Sequence, residues 1–185
     1  VLRDSNGRSR THIVDGRYMA AALAARVCSP SVDVATPWES FLLSGFASIG
    51  RNLDDPTKNL IANDGVTIMD YENGSLVVRH GLTTDMSTAA TKIPTIIQIA
   101  DEMQIRTRSV LSRFKQKFTP DVFGKIEGKL SAMFKNAVRE QIILSFSEIS
   151  AVEDPEDPTG ALVEATYAAV YPFLKITVRY RVRPQ

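Results

Sequence analysis

The dipeptide Asn73-Gly74, set between two alternating apolar runs, constrains this chain more than any other feature. A two-residue type I′ turn needs positive φ at both central positions, and Asn and Gly tolerate that. The stretch Gly65–Asp85 therefore reads as a β-hairpin. Its register would put Glu72 opposite Ser75, Tyr71 opposite Leu76, Met69 opposite Val78 and Ile68 opposite Arg79. One face then carries Thr67, Met69, Tyr71, Leu76, Val78 and His80, and is the expected core side. The other carries Val66, Ile68, Asp70, Val77 and Arg79. Asp70 and Arg79 lie diagonally there, and such a pair contributes about 0.2–1 kcal/mol. A lone hairpin is marginal and needs a larger sheet or a helix over it.

The neighbouring segments supply candidates. Arg17–Val27 is alanine-rich, of high helix propensity, and its small side chains suit close packing. Cys28-Ser29-Pro30 ends it. Residues 29–40 read as a loop holding the one tryptophan, Trp38. Phe41–Ile49 is apolar but interrupted by Ser44 and Gly45, which leaves its type open. Asp55-Pro56 opens a short helix to about Asn63, with Asp as cap and Pro at the first position, and Leu60 and Ile61 to bury. After a polar connector, Asp85–Lys92, the run Ile93–Ile97 reads as the start of a strand limited by Pro94. Gln98–Phe118 is helical, with apolar residues recurring every three or four positions. Acids lie early and bases late, as the helix dipole favours. Thr119-Pro120 restarts a helix running to about Gln141, apolar at Phe123, Ile126, Leu130, Met133/Phe134 and Ala137/Val138. The two helices are expected to pack together or side by side on a sheet.

The last quarter turns to β. Ile142–Ser150 alternates in part, Glu153–Gly160 is an acidic loop, and Ala161–Val170 reads as one strand. Phe173–Val182 alternates cleanly. Leu174, Ile176, Val178, Tyr180 and Val182 form one row, and Lys175, Thr177, Arg179 and Arg181 the other, extended by Arg183. Such a strand fits either the solvated face of a sheet or an edge that pairs with another chain. The fold class expected is α+β, with an α/β-like N-terminal part, a mixed sheet packed by amphipathic helices and a β-rich C-terminal end.

Charge and composition exclude several functions. The net charge is +1 over 185 residues, which gives no global basic field for nucleic acid. No apolar run approaches the ~18 residues of a membrane span. The single cysteine, Cys28, cannot form an internal disulfide and fits a reducing compartment. The opening Val1-Leu2-Arg3-Asp4, abrupt and strand-like, leads us to expect a piece of a longer polypeptide.

No catalytic, cofactor or metal motif stands up. Gly45 to Gly50 has P-loop glycine spacing, but Arg51-Asn52 replaces the lysine and the Mg²⁺-binding hydroxyl. Ser112 and Lys115 match a Ser-x-x-Lys pair without its partner motifs. His12 and His80 lack neighbours at metal-ligand spacing. Nothing positive supports Cys28 as a nucleophile. Asp154 and Asp157 lack a calcium-loop pattern, and Asn73-Gly74-Ser75 is better explained by the turn than as a glycosylation site. No catalytic residue, cofactor or metal is therefore expected.

The order of segments carries a resemblance. Asp15-Gly16 and the alanine run to Arg26 resemble a segment of contractile bacteriophage tail sheath proteins, departing at Ala25, where that family often has glycine. Asn59–Ile68, with Gly65-Val66 before the strand, is similar to a second segment. Val77-Val78-Arg79-His80-Gly81-Leu82-Thr83-Thr84 resembles the strand that closes the family's central domain. Two helices and a strand-rich end follow in the same order. The resemblance implies that residues 1–84 are the end of a larger α/β sheath domain and 85–185 the C-terminal sheath domain. It implies a homo-oligomer of hexameric rings stacked around an inner tail tube protein, joined to a baseplate, in the virion tail after assembly in the host cytoplasm. Contraction would drive the tube through a membrane without direct nucleic-acid binding or membrane insertion by the sheath. Terminal arms in that family add strands to a neighbour's sheet, so Leu174, Lys175, Ile176, Val178, Arg179, Arg181 and Arg183 become the expected interaction residues. The contrasting expectation is a small intracellular enzyme or ligand-binding α+β domain, with Trp38 in a pocket wall.

Overall fold

The computed structural model of the protein describes residues 2–3, 9–10, 13–112, 114, 121–147, 149–156 and 160–171. Two short strands, β1 (Leu2–Arg3) and β2 (Ser9–Arg10), pair antiparallel at the start. Helix α1 (Gly16–Val27) follows, capped by Asp15, whose Oδ1 accepts from the Arg17 amide at 3.0 Å. None of its residues is buried. Among the described residues it meets β3, without the burial expected of its alanines. Alanine offers little area to bury, so caps and propensity hold this helix rather than a core.

Trp38–Ser40 form a 3-10 turn in the expected loop. Strand β3 (Leu42–Leu43) settles the open segment as a short strand. Helix α2 (Asp55–Asn63) begins one residue earlier than expected, with Asp54 as cap. Strands β4 (Ile68–Glu72) and β5 (Ser75–His80) form the hairpin, and the sheet order is β3-β5-β4, all antiparallel. Asn73 and Gly74 have φ of 50° and 85°, as the turn requires.

The hairpin register holds from Glu72/Ser75 to Met69/Val78 and then slips, so that Ile68 faces His80 rather than Arg79. Arg79 is the extra residue of a β-bulge, which lets its long side chain turn toward α2. The core-face expectation is half right. Leu43, Leu76 and Val78 are buried on the expected side. Ile68 and Asp70, on the other side, are buried too, because α2 packs against β4. That helix turns Lys58 and Ala62 inward, whereas Leu60 is exposed and Ile61 only half-buried. The expected inward pair was set by hydrophobicity, but a carboxylate on the sheet face recruits the cation instead.

A capping box of Thr88 and Thr91 starts α3 (Ala89–Lys92). Helix α4 (Pro94–Leu111) occupies the segment expected to begin as a strand. Pro94 sits in its first turn, where a missing N–H costs nothing. The expected extension to Phe118 falls mostly outside the described residues. Helix α5 (Asp121–Arg139) ends before Gln141, whose φ of 61° takes the chain out of the helix.

These two helices pack together as expected. Ile99 and Met103 of α4 meet Val122, Ile126, Leu130, Phe134 and Ala137 of α5, with Ile142, Ile143, Ile149 and Ala151 closing the cluster. Strands β6 (Ile143–Phe146), β7 (Ser150–Glu153), β8 (Ala161–Glu164) and β9 (Tyr167–Ala169) cover it. The expected single strand Ala161–Val170 is thus two. β8 pairs with β7 and β9 with β6, and the chain changes partner at Ala165-Thr166. There the Ser147 amide donates to the Thr166 carbonyl at 2.8 Å. The fold is α+β, and every strand pair among the described residues is antiparallel. The expected strand Phe173–Val182 lies outside the described residues.

Candidate functional site

All seven residues expected to make subunit contacts, Leu174, Lys175, Ile176, Val178, Arg179, Arg181 and Arg183, fall outside the described residues. The described structure instead presents an ionic cluster under the hairpin and a groove near the end of β9.

The cluster is built on α2 and the bulged strand. Lys58 Nζ donates to Asp70 Oδ2 at 2.8 Å, with the two side chains 6% and 9% exposed. Arg79 Nη1 donates to the same Oδ2 at 3.3 Å and to Asp55 Oδ1 at 2.7 Å. Asp70 Oδ1 accepts from the Tyr71 amide at 2.9 Å. The Lys58 hydrogen bond, foremost, holds the Asp70 carboxyl below its usual range against the opposing effect of burial. Asp55 and Asp70 keep the Arg79 guanidinium charged. Two cations meet two carboxylates, so the charges cancel. Both oxygens of Asp70, and Oδ1 of Asp55, are engaged in these hydrogen bonds. The cluster joins α2 to the hairpin. Sequence reasoning found the Asp70–Arg79 pair and missed Lys58. The signal was a carboxylate alternating with apolar residues on a strand, which demands a partner.

The weaker motifs resolve in the same direction. No helix follows Gly50 directly; the chain runs without regular structure to Asp54, so no helix N-terminus faces a phosphate there. Ser112 Oγ donates to the Ser109 carbonyl at 3.0 Å, and Lys115 lies outside the described residues, as does His12. His80 is held toward its neutral form by burial first and by Arg79 second, with Nε2 3.4 Å from Asn59 Oδ1. Cys28 is exposed at the end of α1. Asp154 Oδ1 accepts from the Glu156 amide at 2.9 Å, an ordinary turn. Among the described residues there is no group of three metal-ligating side chains and no helix long and apolar enough to cross a membrane.

Trp38 makes a tertiary contact. Its Nε1 donates to Gln98 Oε1 at 3.0 Å, which ties the 3-10 turn to α4. Glu39 Oε1 accepts from the Gly81 amide at 2.8 Å. A Cβ on Gly81 would come within 2.7 Å of the Trp38 Cβ, so that glycine permits the docking. The groove is a different place, about 320 Å³ between α4, α5 and the β8–β9 segment, lined by Met103, Thr107, Leu111, Leu130, Phe134 and Tyr167. Phe134 also stacks at a tilt on Phe146 and Tyr167, with centroids 5.3 and 6.0 Å away.

No family model matches the chain. It is 26% identical over 181 residues to the tail sheath protein of Mycobacterium phage Bxz1, covering 96% of this chain and 31% of that protein. In fold it is similar to a chain in the baseplate of the anti-feeding prophage, at TM-score 0.77 and 9% identity, over 91% of this chain and 50% of that one. It is also similar to a chain of the contracted sheath complex of an extracellular contractile injection system, at TM-score 0.69 and 11% identity, over 82% and 46%. A sheath tail protein from Desulfitobacterium hafniense matches at TM-score 0.67 and 11% identity, over 90% and 43%. The chain is thus similar in sequence to a phage tail sheath protein and in fold to sheath and baseplate chains of contractile systems, and it spans about a third of the length of the curated protein it matches.

Proposed function

We propose that this chain is part of a structural subunit of a contractile tail sheath, polymerising as stacked hexameric rings around an inner tail tube and contracting to drive the tube through a membrane. The observation that carries this is the alignment with a phage tail sheath protein along 96% of the chain, joined to a shared fold at TM-score 0.77. The subunit divides into residues 1–84, the end of a larger α/β domain, and 85–185, the C-terminal sheath domain. Supporting that division, the α4–α5 core draws on residues before 85 only through Val34 and Ala35 among the described residues. Its partners are further copies of itself, the tube protein and a baseplate, in a virion tail assembled in the host cytoplasm. The terminal strand, through Leu174, Lys175, Ile176, Val178, Arg179, Arg181 and Arg183, links one subunit to the next.

Electron microscopy of the full polypeptide tests the proposal. Rings, tubes or sheath-like filaments are expected. A strictly monomeric protein that binds or turns over a small molecule would overturn it.

A further inference from the structure

We infer that two copies of this chain meet head to tail, with the β7–β8 hairpin of one lying on the outer face of α5 in the next. Two complementary faces carry this. The first belongs to α5. Its inner side is the core row Val122, Ile126, Leu130, Phe134 and Ala137. The opposite side is exposed and carries Lys125, Lys129, Lys135 and Arg139, with Asp121 as its one acid, in the first turn. Glu127, the other acid of the helix, does not offset them. It sits on the flank that meets β7, where its Oε1 accepts from the Ala151 amide at 2.9 Å. Among the described residues no ion pair reaches any of the four cations. Gly124, Gly128 and Ala132 run between them, one turn apart. Glycine weakens a helix interior, and a Cβ at either glycine would meet nothing within 4 Å. Packing within this chain therefore does not call for them, whereas a partner's backbone coming close to the helix does.

The second face belongs to the hairpin. Ala151 and Val163 turn toward the core, so Ser150, Val152, Leu162 and Glu164 share the outer side. Val152 and Leu162 are direct cross-strand partners, 48% and 44% exposed. Exposed acids flank them at Glu153, Glu156 and Glu164, and no lysine or arginine stands between Arg139 and Lys175. The lengths agree: the strand from Ser150 to Asp154 covers about 13 Å, and the helix from Gly124 to Ala132 about 12 Å. An apolar pair then meets a floor of small residues, with carboxylates against lysines on its flanks. Helix face on helix face, or hairpin on hairpin, would set like charges together, which costs affinity. Both faces point away from the one core they share, and among the described residues no ion pair joins them within the chain. The pairing is therefore between copies, and a contact of two unlike faces repeats from copy to copy instead of closing as a pair. Its place in a ring or a stack rests on the sheath reading; the contact itself asks only for two copies.

Charge exchange between copies tests this in the 185-residue chain, read by sedimentation equilibrium at low salt. The parent should self-associate, and added salt should weaken the association. One variant combines Lys125→Glu with Lys129→Glu, and a second combines Glu153→Lys with Glu156→Lys. Each alone should self-associate about 10-fold more weakly than the parent, because like charges then face each other. An equimolar mixture of the two should regain the parent's strength, because each reversed face meets its reversed counterpart. Both variants should melt with the parent, since all four positions are exposed. If a reversal fails to fold, the neutral changes Lys125→Gln with Lys129→Gln and Glu153→Gln with Glu156→Gln should each weaken association, and their mixture should not recover it. A parent that stays monomeric at its solubility limit in low salt overturns the inference. So does association that neither reversal weakens, or a mixture of the two reversals no stronger than its components. A monomeric parent whose α5 lysines bind an acidic protein of another kind also overturns it and gives that face to the other partner. None of these readouts involves filaments, so their failure leaves the sheath reading standing, and the absence of sheath-like filaments from the full polypeptide leaves this contact standing.

Discussion

Lys58 is the residue whose position is hardest to explain from its own chemistry and easiest from its partner's. An ammonium taken out of water costs several kcal/mol unless a close countercharge offsets it. Asp70, 2.8 Å away and equally buried, does so. Lys58→Met should therefore lower stability by about 2–4 kcal/mol in urea titration, somewhat below the usual cost of orphaning a buried charge, because Arg79 still reaches Asp70 at 3.3 Å. Adding Asp70→Leu to Lys58→Met should recover most of that loss, since the orphaned carboxylate is then gone and Arg79 keeps Asp55. The pH dependence has a definite sign. The folded carboxyl of Asp70 lies below its ordinary value, so its contribution is present above about pH 4 and lost as pH falls through the lower folded value. The acid limb of stability should be shallower in Lys58→Met than in the parent. Equal slopes would show that the pair does not set the titration of Asp70.

At the scale of elements, the hairpin depends on two glycines for different reasons. Gly74 needs its φ of 85° for the turn but has open space around it. Gly65, at φ 78°, also stands where a Cβ would lie 2.5 Å from the Thr83 carbonyl oxygen. Gly74→Ala should cost about 1–2 kcal/mol, the left-handed penalty alone. Gly65→Ala should cost at least about 1 kcal/mol more, because backbone strain and the contact with Thr83 add. Matching losses in chemical unfolding would mean that the hairpin base relaxes freely. The same elements show what a sequence displays. The turn, the inner faces of α4 and α5, and the pairing from Glu72 to Met69 were legible, because each rests on local geometry and a strong period. The bulge at Arg79 was not, since it answers to Asp55 on another element. Nor was the helical start at Pro94: Ile93–Ile97 has strand-like residues, and only tertiary burial of Thr95, Ile96 and Ile99 decides for the helix. The break at Ala165-Thr166 follows from two strands seeking different partners. The proposed interaction strand was legible as a pattern, and it lies outside the described residues.

For the whole molecule, the unequal burial of its elements points outward. No residue of helix α1 is fully buried, and Tyr18, Leu42 and Leu60 are each more than half exposed, whereas Ile99, Met103, Leu130 and Ala137 of the α4–α5 core are at most 2% exposed. A twelve-residue helix is marginal by itself in water, so on the sheath proposal α1 would gain stability where the subunit meets its neighbours. The proposed terminal strand rests on its sequence pattern alone. Its apolar row has little use on a solvated face, and strand pairing gives main-chain hydrogen bonds that survive while other contacts slide. Deleting Leu174–Val182 from the full polypeptide should abolish rings and tubes in electron micrographs. Helix content by circular dichroism should stay near that of the parent, because α4 and α5 pack through residues that precede the deletion. Loss of both assembly and helix would trace the effect to folding, for which the substitutions Ile176→Asp and Val178→Asp in the intact chain provide the cleaner comparison: they keep the length and remove the pairing face. Polymerisation unchanged in both variants would refute strand donation and move the linkage between subunits to another surface.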